Sequence, residues 1–433
     1  MRVLLLFAPA YLNQLYGEPP LGVSYLAQIL KNSGDIVKCI NLNNYFSLAD
    51  TSNDILHQTR AMIEEFNPEI LGINSWTYAL PFSLELITTL RVHKKKYPII
   101  LSGNNAYFMP DETTKLVGNQ AIVCTKKGYD EIANTYFGKN IALLKPTDLP
   151  LLDFSYFDDR RGRFYLLNKF GCAKRCSFCS EGMYWRTEHA FDVFHTLKQI
   201  QLLQSLYHIR DINFWDDHIT MDWKYGKKFC EEILAQKITI SWLTYSRIDQ
   251  ITEEKIILMK KAGCSHIFIG VESLNPKTLL YFNKTIEPDQ YINQTQKVVR
   301  LLEKYKIQGI FSFILGSPVE TSAEMLQEYQ KIISLQCNNP GIRIELSQLT
   351  PEIDSLLWKM YQLGKTNLWK IQHQNLLDRF AGTQLFSEKY DEPWLVPQKY
   401  LFASQVMNQK EFELTLSQIW ELNEHENHEI ISI

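Results

Sequence analysis

Gly171-Cys-Ala-Lys-Arg-Cys-Ser-Phe-Cys179 sets three thiols at C-x3-C-x2-C spacing, close enough for all three to turn onto one small inorganic object. Iron–sulfur clusters take thiolate ligands, and a four-iron cube takes one per iron. Cys172, Cys176 and Cys179 therefore fit a [4Fe-4S] cluster with one iron left open for a substrate or cofactor. Lys174 and Arg175, lying between the thiols, favour the ionised form that binds metal. A structural zinc knuckle is the rival reading, but it needs a fourth ligand and none follows at a zinc-like spacing. A disulfide fits less well, since an odd trio cannot pair internally.

The elements that must hold this loop are legible from hydrophobic pattern. Residues 1 to 138 alternate strands and helices as a doubly wound parallel sheet does. The strands are read at Val3–Phe7, Ile36–Leu42, Ile70–Ile73, Ile99–Leu101 and Ala121–Cys124, and the helices at Leu21–Lys31, Ile55–Phe66 and Phe82–Lys95. Ligands of such sheets bind beyond the strands' carboxyl ends. Residues 139–162 lose periodicity and read as a linker.

From 163 to 351 a second strand–helix rhythm begins with Phe164–Phe170, which delivers the cysteine loop. It continues through Asp211–Trp215, Ile240–Tyr245, His266–Gly270, Gly309–Leu315 and Ile342–Leu349. Six such steps make a partial barrel with its site at the strand ends. Residues 352–433 form a C-terminal extension dense in aromatics, expected to pack against the barrel's open side.

Composition bounds the function. With 433 residues, 45% of them hydrophobic, the chain can bury more than one core, and a net charge of −3 gives no general attraction to nucleic acid or anionic membranes. The opening Met1–Ala10 reads as a buried first strand, and no segment reaches the ~20 apolar residues that span a bilayer. Cys39, Cys124, Cys230, Cys264 and Cys337 stand singly among apolar residues, as reduced thiols of a cytoplasmic protein do.

At the cysteine loop, with Phe178 just before the third thiol, the sequence resembles the radical S-adenosylmethionine (SAM) superfamily. Gly17-Glu-Pro-Pro-Leu-Gly-Val-Ser-Tyr-Leu-Ala27 and Pro68–Asn74 are similar to the opening of the cobalamin-binding domain that precedes the barrel in one large branch. The resemblance implies a Rossmann-like N-terminal sheet plus a partial (β/α)6 TIM-type barrel. It also implies that SAM chelates the open iron and is cleaved to a 5′-deoxyadenosyl radical.

Residue by residue, the resemblance places Asp216 and Asp217 at the SAM amine, or at water near it. Arg247 could meet the methionine carboxylate and Glu272 a ribose hydroxyl, although these two could instead pair with one another. Gly309 resembles the glycine that lets adenine approach the fifth strand. In the first domain, Asn74, Ser75, Thr77, Gly103, Asn104 and Asn105 would contact cobalamin. The Asp-x-His-x-x-Gly loop that supplies a lower axial ligand in some cobalamin proteins is absent. The usual Gly-Gly-x-His turn has become Gly103-Asn-Asn-Ala106, a departure that leaves a scaffold binding nothing as the alternative.

The expected activity is hydrogen abstraction from a carbon of a small-molecule or peptide substrate, followed by cobalamin-dependent methyl transfer. A one-electron donor such as flavodoxin or ferredoxin would reduce the cluster. A cobalamin-free dehydratase or isomerase-like enzyme is the alternative, and a non-enzymatic metal-binding scaffold a third reading.

Overall fold

The computed structural model describes residues 1–9, 19–46, 50–93, 96–142, 144–145, 148–158, 164–181, 188–215, 218–337, 339–381, 389–425 and 431–432. They form two compact units, one of Met1–Tyr165 with Gln201–Leu206 and Asp378–Pro397, the other of the remainder.

In the first unit, β1 (Arg2–Phe7), α1 (Leu21–Asn32), β2 (Ile36–Asn41), α2 (Ser52–Phe66), β3 (Ile70–Asn74), α3 (Leu80–Val92) and β4 (Ile99–Ser102) follow in order. Then come α4 (Asn104–Phe108), α5 (Pro110–Val117), β5 (Ile122–Val123) and α6 (Tyr129–Phe137). The parallel strands are ordered β2-β1-β3-β4-β5. Winding therefore reverses between β1 and β3, where Phe7 lies opposite Asn74, and such switch points open a ligand crevice. Val3, Leu4, Leu5 and Leu6 are buried, the uninterrupted apolar run expected of a strand covered on both faces. A Thr51–Asp54 capping box starts α2.

The expected linker is not one. Leu152, Phe154, Tyr156 and Phe157 are buried, Cys39 forms a bridge with Phe157, and Lys31 pairs with Asp153, so this stretch is part of the first unit. Periodicity fails to reveal it because a segment can bury side chains without repeating. The extension is divided too, since Asp378–Pro397 belongs to the first unit. Within that unit the Asn105 amide donates to the Trp394 carbonyl at 2.8 Å, and Lys389 pairs with Glu85.

The rest of the chain carries β6 (Phe164–Leu166), β7 (Lys169–Phe170), β8 (His189–Ala190), α7 (Val193–Tyr207), β9 (Asp211–Phe214), α8 (Trp223–Ala235) and β10 (Ser241–Arg247). It continues with α9 (Glu253–Lys261), β11 (Cys264–Glu272), α10 (Pro276–Tyr281), α11 (Pro288–Tyr305), β12 (Gln308–Leu315), α12 (Ser322–Cys337) and β13 (Ile342–Gln348). Last are α13 (Leu356–Gln362), β14 (Leu368–Lys370), α14 (Gln374–Ala381), β15 (Tyr400–Phe402), α15 (Gln409–His425) and β16 (Ile431–Ser432).

The six expected barrel strands lie in the order β13-β12-β11-β10-β9-β6, and β16 adds a seventh beside β13. Side chains alternate across them. Phe214 and Trp242 face outward onto Phe229 of α8 with centroids 5.3 and 5.7 Å away, which leaves the intervening residues to the lumen. Thr252 caps α9 as expected, accepting from the Lys255 amide. Cys337 departs from expectation, being exposed at the end of α12.

Candidate functional site

The cysteine loop is held from both sides before any cofactor is considered. β7 pairs antiparallel with β8, Phe170 opposite His189. Beside that hairpin the buried Lys169 ammonium meets Glu188 at 3.0 Å, and Glu188 also accepts from the Ala173 amide. Farther along, the Ser177 amide donates to Phe282 O and its hydroxyl to Tyr281 O, each at 2.8 Å. The Ser177 carbonyl accepts from Leu357 of α13, and Asn283 donates to Arg175 O at 2.7 Å. Phe178 packs edge-on against Phe282 at 5.1 Å, over a core that includes Leu357 and Phe402. Leu357 and Phe402 of the extension thus support the cysteine loop.

Cys172, Cys176 and Cys179 all line one cavity of about 350 Å3. Among the described residues no three Cys, His, Asp or Glu side chains converge as ligands of a single ion. A cube does not ask for that, because each thiolate binds its own iron, so the donor set fits a cluster better than zinc.

Arg247, only 2% exposed, ends β10 in the same cavity. Its guanidinium forks onto Asp249 at 3.0 and 3.1 Å, reaches Cys176 Sγ at 3.4 Å and donates to Lys284 O. Burial opposes its charge, but the Asp249 carboxylate more than offsets this and raises its pKa. Glu272 does not pair with Arg247. Its partner is Lys284, whose ammonium stands 2.9 Å away; burial works against that ammonium too, and Glu272 outweighs it.

Glu272 sits at φ +71° beside a register shift in β11, which turns its carboxylate back over Gly270. A Cβ at Gly270 would lie 2.3 Å from Glu272 Oε1, so the ion pair needs a glycine there. Tyr291 O–H donates to Gly270 O at 3.1 Å and holds the strand end.

Gly309 requires a correction. It is the second residue of β12, at the opposite end from the cavity, and a Cβ there would meet Phe311, Leu302 and Ile342. Its lack of a side chain lets α11 pack on the strand. Asp216 and Asp217 lie outside the described residues.

Sequence reading missed Lys284 and His218. A lysine after a helix normally reads as solvated, and only the left-handed Asn283 before it, at φ +49°, turns its chain inward. His218 lines the cavity, and its pKa is held well below the ordinary value by burial and then by Lys284, Arg247, Lys169 and Lys174. It is a neutral imidazole. The aromatic residues Trp215, Tyr245 and Phe268 complete the wall.

In the first unit the six candidate residues gather at the ends of β3 and β4. Asn74 donates to Ser102 Oγ at 3.2 Å. Gly103, at φ +122°, comes so near that a Cβ would stand 1.8 Å from Ser75 O, so glycine is obligatory there. Ser75, Thr77 and Asn105 are buried, and Ser75 is engaged with Ser83 and Asn105 with Trp394 O. These three are turned inward, while Asn74 and Asn104 are partly exposed. The first unit's histidines, His57 and His93, lie within α2 and after the end of α3, away from the strand-end loops.

Residues 170–332 match the Radical SAM superfamily and residues 13–134 the B12 binding domain. An uncharacterized methyltransferase of Pyrococcus horikoshii is 24% identical over 75% of this chain and 76% of its own length. The anaerobic magnesium-protoporphyrin IX monomethyl ester cyclase of Rubrivivax gelatinosus is 26% identical over 72% of this chain and 61% of its own length. Among solved structures, the radical SAM methyltransferase TsrM of Kitasatospora setae, with cobalamin and a [4Fe-4S] cluster bound, overlays with a TM-score of 0.66. That match covers 97% of this chain and 90% of TsrM at 16% identity, a likeness of fold. With the thiols and both domain matches in agreement, the chain carries a radical SAM domain over residues 170–332, the kind that uses a [4Fe-4S] cluster and S-adenosylmethionine, preceded by a B12-binding domain over residues 13–134.

Proposed function

We propose that the chain is a cobalamin-dependent radical SAM methyltransferase acting on a carbon of a small-molecule or peptide substrate. The carrying observation is the cavity that unites Cys172, Cys176 and Cys179 with the Arg247 guanidinium and the Glu272–Lys284 pair. When bound, the reduced cluster supplies the electron that cleaves SAM to a hydrogen-abstracting 5′-deoxyadenosyl radical, and the corrinoid supplies a methyl carrier.

In this reading the three thiols hold the cluster and Arg247 donates to the sulfur of Cys176. The Arg247 and Lys284 cations suit the methionine carboxylate, while Glu272 suits a hydroxyl of the ribose. The aromatic wall keeps water from the reacting carbon. Asn74 and Asn104 meet the corrinoid's edge, and no histidine of the first unit serves as its lower ligand. A flavodoxin or ferredoxin supplies electrons, and the buried free cysteines suit a reducing, cytoplasmic setting. No helix among the described residues is long and apolar enough to cross a membrane.

The test is anaerobic reconstitution followed by product analysis. Expected are a brown protein, retained hydroxocobalamin, and S-adenosylhomocysteine formed together with 5′-deoxyadenosine, because remethylating the corrinoid consumes a second SAM. Changing all three cysteines to alanine should remove colour and SAM cleavage, and a stoichiometric cluster in that triple variant would falsify the ligand assignment. 5′-Deoxyadenosine without S-adenosylhomocysteine would select the cobalamin-free dehydratase or isomerase-like reading, which the committed side chains of Ser75 and Asn105 favour.

A further inference from the structure

The lumen wall of the second unit has two chemically different layers. Charged groups occupy the strand ends, where Arg247, Glu272 and Lys284 stand beside the cysteines. One side-chain repeat lower, roughly 6–7 Å along the strands, comes a row of rings. Tyr245 lies opposite Phe268 in the parallel register, with ring centroids 4.8 Å apart at 37°. Trp215 follows β9 two residues beyond the Asn213–Leu243 pair and stands 5.8 Å from Tyr245 at 50°.

All three rings line the cavity, and Trp215 is 42% exposed. A lumen filled only for stability uses branched aliphatic side chains; here three neighbouring strands offer a continuous aromatic face instead. His218 lines the same space. Nδ1 of His218 is enclosed and finds no hydrogen-bond partner among the described residues, a condition that is costly unless something meets it. As a neutral imidazole His218 has one nitrogen to donate and one to accept.

We propose that the Trp215–Tyr245–Phe268 wall receives a planar conjugated ring of the substrate and that His218 hydrogen-bonds to a polar substituent or ring N–H of it. The inference rests on the cofactor reading above, since it gives SAM's charged head the upper layer and the substrate's ring the layer beneath. Stacking between aromatic faces has a preferred geometry and adds to area burial, so the wall selects flat conjugated rings over saturated ones. A hydrogen bond to the His218 imidazole then orients the ring in its own plane.

The experiment is equilibrium dialysis of the full-length, anaerobically reconstituted protein with SAM, using indole, 1-methylindole and cyclohexanol as probes. Indole should bind about tenfold more tightly than cyclohexanol. Trp215→Leu, at an exposed position that does not threaten folding, and Phe268→Leu should each weaken indole by about fivefold without a comparable loss of SAM affinity. His218→Phe should bring indole and 1-methylindole to parity, and His218→Gln should keep indole ahead. Equal binding of indole and cyclohexanol overturns the proposal. So does a parallel loss of SAM and indole in the wall variants, which would make the rings the platform of SAM's own adenine. Failure of the parent protein to bind SAM strikes the cofactor reading and is read from the SAM compartment alone, whereas failure of indole in a parent that binds SAM strikes only the wall.

Discussion

Arg247 touches three things at once: the carboxylate of Asp249, the sulfur of Cys176 and the backbone of Lys284. A hydrogen bond to a ligand sulfur, and a positive charge beside it, favour the reduced and more negative state of an iron–sulfur cluster. Arg247→Met should therefore shift the cluster potential to a more negative value in a spectroelectrochemical titration. It should also weaken SAM by roughly ten- to hundredfold, the effect of losing one ionised hydrogen-bond partner. An unchanged potential with a full complement of iron would reduce Arg247 to a structural role. Lys284 invites a different test. Lys284→Met strands the Glu272 carboxylate in a buried position, which should cost about 3–5 kcal/mol in denaturant unfolding, and adding Glu272→Gln should recover much of it. A double variant no more stable than the single would mean that the pair does not act as one. The sequence displays Arg247 and Glu272 because each ends an apolar strand. It conceals their partners, because partnership depends on how the 281–284 turn folds back, and no local pattern encodes that.

At the level of single elements, β13 carries a titrating group into the lumen. Burial, followed by the charge of Glu272, pushes the Glu345 carboxyl up from 4.5 to about 7. Because the folded value is the higher one, the stability Glu345 contributes is whole below about pH 4.5 and is lost as pH rises through 7. A shift of that size corresponds to about 3 kcal/mol. Glu345→Gln should thus match the parent at pH 4.5 and unfold at higher denaturant at pH 8; a gap independent of pH would rule the assignment out. A second buried device fastens the end of β11. Glu328 accepts from the Ser273 hydroxyl and the Leu274 amide, while Glu320 accepts from Thr278. Burial and then the neighbouring Glu328 raise the Glu320 pKa well above the carboxylate range, so the pair keeps a proton. Glu320→Gln should be tolerated where Glu320→Ala is not, as judged by thermal unfolding, and equal losses in the two variants would contradict a retained proton. Strands such as β10 to β13 were legible from alternation and length, and Thr252 from its cap position. The carboxylate pair was not, since Glu320 and Glu328 meet only after α12 packs beside the β11 end.

Across the whole molecule, periodicity recovered both parallel sheets, because a buried strand or an amphipathic helix writes its burial into a repeat. It failed at residues 149–157 and 389–397, where Leu152, Phe154, Tyr156, Phe157, Leu395 and Val396 are buried without one. The practical consequence is that the first unit is not contiguous in sequence. Residues 378–397 bring Lys389 and Tyr390 to Glu85 and the Trp394 carbonyl to Asn105, immediately behind the Gly103 ledge at the end of β4. Asn105 is buried and would lose the acceptor its amide has in Trp394 O if this segment were absent, leaving an unmet donor worth about 1–3 kcal/mol. Replacing residues 378–397 by a flexible Gly/Ser stretch of equal length should therefore loosen the first unit. Limited proteolysis should cut within residues 1–165, and hydroxocobalamin retention should fall. The second unit keeps its cysteine loop and the α13 contact that braces it, so iron and sulfide content should stay at the parent level. Unchanged proteolysis and corrinoid retention would show that the segment merely lies against a sheet already complete, whereas loss of the cluster along with the corrinoid would show that the extension sustains both units together.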